Sequence, residues 1–150
     1  GLGKSERRIR SGYIEALSDS GFAVELRPDA LVALPYILRK TYPVLLVDMF
    51  IPPGIRLEDD KELRDVWEKT GGETDLDQYA TITRHLIQRI RRSETNSSAP
   101  VLVTGIYSPI STLWERMIQL MLQDGATEYV ELNVDGISPE ELVAKVRSFL

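Results

Sequence analysis

Asp48 closes an apolar run, Val44-Leu45-Leu46-Val47, and a Pro52-Pro53-Gly54 turn follows almost at once. Such a run reads as a buried strand of a parallel sheet. In open parallel α/β sheets, ligands and chemistry collect just beyond the C-terminal strand ends. A carboxylate in the last place of a central strand therefore stands where it can act. A second run, Val101-Leu102-Val103, ends on the Thr104 hydroxyl and Gly105. The plainer reading of Asp48 is a strand-end carboxylate that caps the following turn. Thr104 is equally a plain strand-end hydroxyl, and Tyr129 a half-buried core aromatic. His85, the one histidine, stands near Arg84, Arg89, Arg91 and Arg92 and reads as part of a solvated basic helix face. With no cysteine, disulfides, thiol chemistry and cysteine-based zinc sites are excluded. No grouping of His, Asp and Glu has the pattern of a zinc or hydrolase site.

The elements that must position these residues alternate along the chain. Ser5 can cap a helix over about 6–18, with Ile9, Tyr13, Ala16 and Leu17 on one face. Gly21 ends it, and Phe22-Ala23-Val24-Glu25-Leu26 alternates like a short strand. Pro28 and Asp29 open a second helix with Leu31, Leu34, Ile37 and Leu38 inward and a kink at Pro35. After the strand ending at Asp48, residues 55–72 read as an insertion. It carries an amphipathic helix over 59–69, with Leu63, Val66 and Trp67 on one side, and closes at Gly71-Gly72. Thr74 and Asp77 resemble a capping box for a helix to about Arg92, with Leu76, Tyr79, Leu86 and Ile90 inward. A strand over 101–104, a widely apolar helix over 112–123 and a strand over 128–132 follow. Ser138 caps a final helix carrying Leu142, Val143, Val146, Phe149 and Leu150. Alternating strands and helices imply an α/β fold, a doubly wound parallel sheet covered on both faces. Because the chain opens on a helix, its first strand is missing or truncated.

The 150 residues fit a single domain with a full core. A composition of 43% hydrophobic and 27% charged residues is that of an ordinary globular protein. The net charge of -5 gives no basic footprint for direct nucleic-acid binding. No run reaches membrane-span length and no secretory leader is recognisable, so the expectation is a cytoplasmic protein.

Five stretches, in order, resemble the receiver (CheY-like) domain of two-component response regulators. They are Gly21-Phe22-Ala23-Val24; Leu45-Leu46-Val47-Asp48 with Pro52; Val103-Thr104-Gly105; Gly125-Ala126-Thr127-Glu128-Tyr129-Val130; and 140–147 in the last helix. The resemblance implies a flavodoxin-like fold and a non-enzymatic signalling module in a phosphorelay. It implies that Asp48 is the phosphoacceptor, Thr104 the switch hydroxyl and Tyr129 the switch aromatic. It implies magnesium held by Asp48 and the Phe50 backbone carbonyl when the site is competent. Its partners would be a histidine kinase or phosphotransfer protein. A homodimer would form through the fourth helix, fifth strand and fifth helix of the family, where Trp114 and Met117 would lie at the interface. Two departures leave two readings, an acidic pair and first strand cut off upstream of Gly1 or an atypical, pseudo-receiver domain, and the cost of unpaired strand edges favours the first. The family lysine aligns with Leu132, and the proline and aromatic after it with Asn133 and Val134. The acidic pair falls on Gly3, Lys4 and Ser5, with only Glu6 acidic nearby.

The competing reading is a fragment of a P-loop nucleotide-binding protein. Gly3-Lys4-Ser5 resembles the end of a phosphate-binding loop, and the strand ending at Asp48 could hold the metal. The insertion at 55–72, next to the Asp48 loop, is expected to shield the site or to serve as a docking element.

Overall fold

The computed structural model describes residues 2–70, 75–106, 112–132 and 136–150, with the backbone alone for 2–6, 75 and 76. Among the described residues the order is α1 (Leu2–Asp19), α2 (Ala30–Arg39), β1 (Leu45–Asp48), α3 (Lys61–Lys69), α4 (Asp75–Arg92), β2 (Val101–Gly105), α5 (Thr112–Asp124), β3 (Glu128–Glu131) and α6 (Pro139–Ser148). A 3-10 turn, Leu57–Asp59, precedes α3.

The strands form a parallel sheet in the order β1-β2-β3. Successive strand side chains point to opposite faces, and the core divides accordingly. Val47, Val101 and Val103 join Leu34, Leu63, Ile87 and Met121, so α2 to α5 cover one face. Leu102 and Val130 join Tyr13, Leu17, Leu142 and Val146, so α1 and α6 cover the other. Polar ties fix the layers. Tyr13 donates its hydroxyl hydrogen to the Ile137 carbonyl, joining α1 to the start of α6. The buried Asn96 donates to the carbonyls of Ile37 and Lys40 and accepts from the Tyr42 N–H. It thereby ties the end of α2 and the approach to β1 to the loop after α4.

This is the flavodoxin-like α/β arrangement with a shortened sheet. In a flavodoxin-like strand order of 2-1-3-4-5, β1 to β3 occupy the third, fourth and fifth places. The expected strand at Phe22–Leu26 does not form. A strand is defined by its neighbour, and this segment faces the β1 edge across an open groove.

Other boundaries and faces also differ. Helix α1 starts at Leu2, so Gly3, Lys4 and Ser5 lie within it and Ser5 is not its cap. In α2 the buried row is Ala30, Leu34 and Ile37, an i, i+4, i+7 stripe that leaves Leu38 exposed on the next face. Asp29 caps this helix by accepting from the Val32 N–H at 2.9 Å. The insertion helix forms as expected, capped by Asp60, with Leu63 fully buried and Val66 and Trp67 packed on the core. His85 is 7% exposed, not on a solvated face: α3 packs over it and contributes the acids around it. In α6, Ser138 and Glu141 form a capping box, and Leu150, beyond the last turn, is exposed. The expected features at Gly71-Gly72, Thr74 and the Leu76 side chain lie outside the described residues.

Candidate functional site

Asp48 ends β1 opposite Thr104 on β2. The Met49 N–H donates to the Thr104 carbonyl at 2.9 Å, which continues the pairing one step past the strand. Asp48 Oδ1 accepts from the Phe50 N–H at 2.7 Å, so the carboxylate does cap its own turn. Oδ2 pairs with the guanidinium of Arg10 from α1. The turn is also held from below. The fully buried Thr83 of α4 donates to the Asp48 carbonyl at 3.0 Å and accepts from the Ile51 N–H at 3.0 Å. Beyond it, the carbonyls of Pro52 and Pro53 accept from the N–H groups of Ala30 and Leu31. These bonds tie the Asp48 loop to the start of α2. Gly54 completes that turn at φ 115°, where a Cβ would lie 2.8 Å from Leu31 Cδ1.

Tyr129 stands on β3 beside Val103, with its ring leaning over Gly105. A Cβ at Gly105 would lie 2.5 Å from the Tyr129 hydroxyl, so glycine makes room for the ring beside Thr104. Burial pushes the Tyr129 hydroxyl above its ordinary pKa. The Trp114 indole works against that shift, while Glu131 and Asp48 add to it through their charge. Trp114 in turn packs edge-on to Phe50, with ring centroids 4.9 Å apart.

The structure therefore brings Asp48, Thr104, Tyr129, Phe50 and Trp114 into one neighbourhood. Met117 is half-buried on α5, packed against the same core. The most exposed apolar side chain on that helix is Leu113, at 59%. Leu132, where the resemblance places a lysine, is buried among apolar side chains and offers no donor. Asn133 and Val134 lie outside the described residues.

Two participants were not singled out from sequence. Arg10 is one of several charges on α1, and its meeting with Asp48 is set by how α1 packs. Thr83 sits on the buried face of α4, where the visible signal was one polar residue between Ile82 and Leu86.

Among the described residues, the donors around Asp48 do not by themselves make a divalent-cation site. Magnesium favours carboxylate oxygens and water in octahedral array. Both Asp48 oxygens are engaged here, one by an N–H and one by a guanidinium. Among the described residues no group of three or more His, Asp or Glu could hold a metal. Nor is any described helix long and apolar enough to cross a membrane.

No family model matches the sequence, and no curated protein is significantly similar to it. Solved structures do share the fold. A CheY-like receiver domain from Methanospirillum hungatei superposes with a TM-score of 0.60 at 14% identity, over 95% of this chain and 84% of that one. The chemotaxis response regulator CheY4 of Vibrio cholerae gives 0.60 at 17% identity, over 95% and 90%. A response regulator from Burkholderia pseudomallei, solved with a phosphorylated aspartic acid and a calcium ion, gives 0.55 at 17% identity, over 93% and 61%. The fold of the chain is that of a receiver domain.

Proposed function

We propose that the chain is a receiver-type signalling domain that works through protein contacts, with Asp48 in the phosphoacceptor position and Arg10 holding it. One juxtaposition carries this reading: Asp48 at the C-terminal end of β1, opposite Thr104, with Tyr129 leaning over Gly105 beside it. A hydroxyl and an aromatic next to an acid are the parts needed to read a change of charge on that acid. Their support is geometric, and it is strengthened by the shared fold of the response regulators.

In the acceptor reaction a carboxylate oxygen of Asp48 attacks the phosphorus of a phosphohistidine or small phosphodonor. An acyl phosphate forms as the bond from phosphorus to the donor breaks; a departing imidazole takes its proton from water, and a departing acetate needs none. The positive charge beside Asp48 comes from Arg10. A guanidinium locked to the ground-state carboxylate ties up the attacking oxygen, so transfer from small donors is slow. The domain binds a histidine kinase or phosphotransfer protein and relays state by shape, without turnover of its own. The face made by α5, β3 and α6 corresponds to the dimerisation surface of the family, and exposed Leu113 on it suits a second copy.

Labelling with radioactive acetyl phosphate tests the assignment. The expected result is slow incorporation that disappears in Asp48→Asn. Label that survives Asp48→Asn would place the acceptor elsewhere and overturn the reading.

A further inference from the structure

On its β2 side the Tyr129 ring meets Gly105, which has no side chain to hold it in place. The choice of rotamer must then be set from another element. Helix α5 supplies that contact. Trp114 stands in the first turn of α5 and packs, half-buried, against the same core as Phe50 and Tyr129. The indole nitrogen of Trp114 and the hydroxyl oxygen of Tyr129 are both shut away from solvent. The indole N–H acts on that hydroxyl and pulls its pKa down against the effect of burial, in a contact looser than a full hydrogen bond. A tryptophan serving area alone would bury a polar N–H for nothing; here the buried N–H meets a buried hydroxyl.

The same indole meets Phe50 edge-on, with ring centroids 4.9 Å apart. Phe50 is in turn tied to the acid, because its N–H donates to Asp48 Oδ1 at 2.7 Å. Among the described residues no ring pair joins Phe50 to Tyr129 directly. The indole is therefore the one ring that touches both the Asp48 turn and the tyrosine of β3.

We propose that Trp114 is a positioning residue: it holds the Tyr129 ring over Gly105 beside Thr104 and ties that placement, through Phe50, to the Asp48 carboxylate. The inference rests on the receiver-type reading only in taking Tyr129 as a reporter of Asp48. A group that draws Asp48 Oδ1 away from the Phe50 N–H loosens the turn at Phe50. The phenyl edge then shifts against the indole, and the indole against the tyrosine, along one chain of packed contacts. A change at the carboxylate thus reaches the first turn of α5 by contact, alongside any path through Thr104.

Nuclear magnetic resonance of the full chain, with no phosphoryl donor present, tests this apart from the acceptor chemistry. The Tyr129 ring gives the Gly105 Hα protons a ring-current shift that marks its position. Trp114→Leu is expected to abolish that shift, and Leu113→Ala, the exposed neighbour on the same helix, to leave it unchanged. Phe50→Leu is expected to move the Tyr129 ring resonances in the otherwise wild-type chain and to have no effect on them once Trp114→Leu is present, a double-mutant cycle that isolates the indole. Trp114→Phe keeps a ring but removes the N–H; it is expected to reduce the Gly105 shift and carries the same comparison if Trp114→Leu does not fold. A Gly105 shift unchanged in both Trp114 variants overturns the proposal. So does a Phe50→Leu effect on Tyr129 that is equal with and without the indole, or a Leu113→Ala effect as large as that of Trp114→Leu.

Discussion

Two of the contacts that hold the Asp48 carboxylate differ in kind. The Phe50 N–H holds it from within its own turn, and Arg10 holds it from another layer of the fold. Arg10 is 43% exposed along its side chain, so the pair is screened by solvent and adds about 1 kcal/mol or less to stability. Arg10→Gln is therefore expected to leave the melting temperature nearly unchanged and to speed acetyl phosphate labelling of Asp48. A large loss of stability with unchanged labelling would show Arg10 to be structural only. Thr83 is the opposite case. Thr83→Val keeps its shape but strips the Ile51 N–H and the Asp48 carbonyl of a buried partner. Denaturant unfolding is expected to show a loss of about 1–3 kcal/mol. Legibility at this scale followed locality. The strand positions of Asp48, Thr104 and Tyr129 were visible because each ends or sits within a short strand with its own period. Arg10 and Thr83 were not, because a charge on a surface helix and a hydroxyl on a buried one acquire meaning only from what packs against them.

Among the elements, α3 is the addition that most changes its surroundings. Leu63 plugs it into the core, and Asp60 caps it while pairing with Arg89 of α4. Truncating a fully buried leucine costs about 2–5 kcal/mol, so Leu63→Ala is expected to loosen α3 first, seen as early proteolysis between 55 and 72. The α3–α4 contact is also acid-sensitive. Burial by itself would raise Asp60, but hydrogen bonds from Arg89 and the Leu63 N–H outweigh it and hold the carboxyl below its ordinary value. Burial, then Arg89, push His85 below 6.5, with Arg92 acting in the same sense and Glu62 and Asp60 against it. Both folded values are depressed, so each stabilising contribution is present above the unfolded pKa and fades as pH falls through the folded one. For His85 the loss begins as pH drops below about 6.5; Asp60 adds to it further down. Thermal melts between about pH 7.5 and 5 should fall for the wild type and fall less for His85→Gln. Equal slopes would remove His85 from this account. The helix was legible from its one-sided Leu63, Val66 and Trp67. The burial of His85 was not, since it required knowing that the insertion folds back over α4.

The whole molecule is a layered α/β sheet whose alternation was readable from sequence, strand by strand, except at one edge. Val101, Leu102 and Val103 announced a buried central strand because they are apolar on both faces. Phe22 to Leu26 alternates like a strand but has no partner at its side, and a strand cannot be specified by its own residues alone. Gly105 shows the sheet and the site constraining each other. Gly105→Ala brings a methyl against the Tyr129 hydroxyl. Overpacking of this kind costs about 1–3 kcal/mol and is expected to displace the tyrosine ring, visible as shifted ring resonances.

The central claim is that Asp48, the proposed acceptor aspartate, is held in a guarded state by Arg10. Titration with beryllofluoride and magnesium, followed through the backbone amide resonances of Asp48, Thr104 and Tyr129, addresses it most directly. The account predicts little or no saturable change at these residues. A tight, saturable response that is lost in Asp48→Asn would contradict it and make the site a competent, metal-dependent receiver.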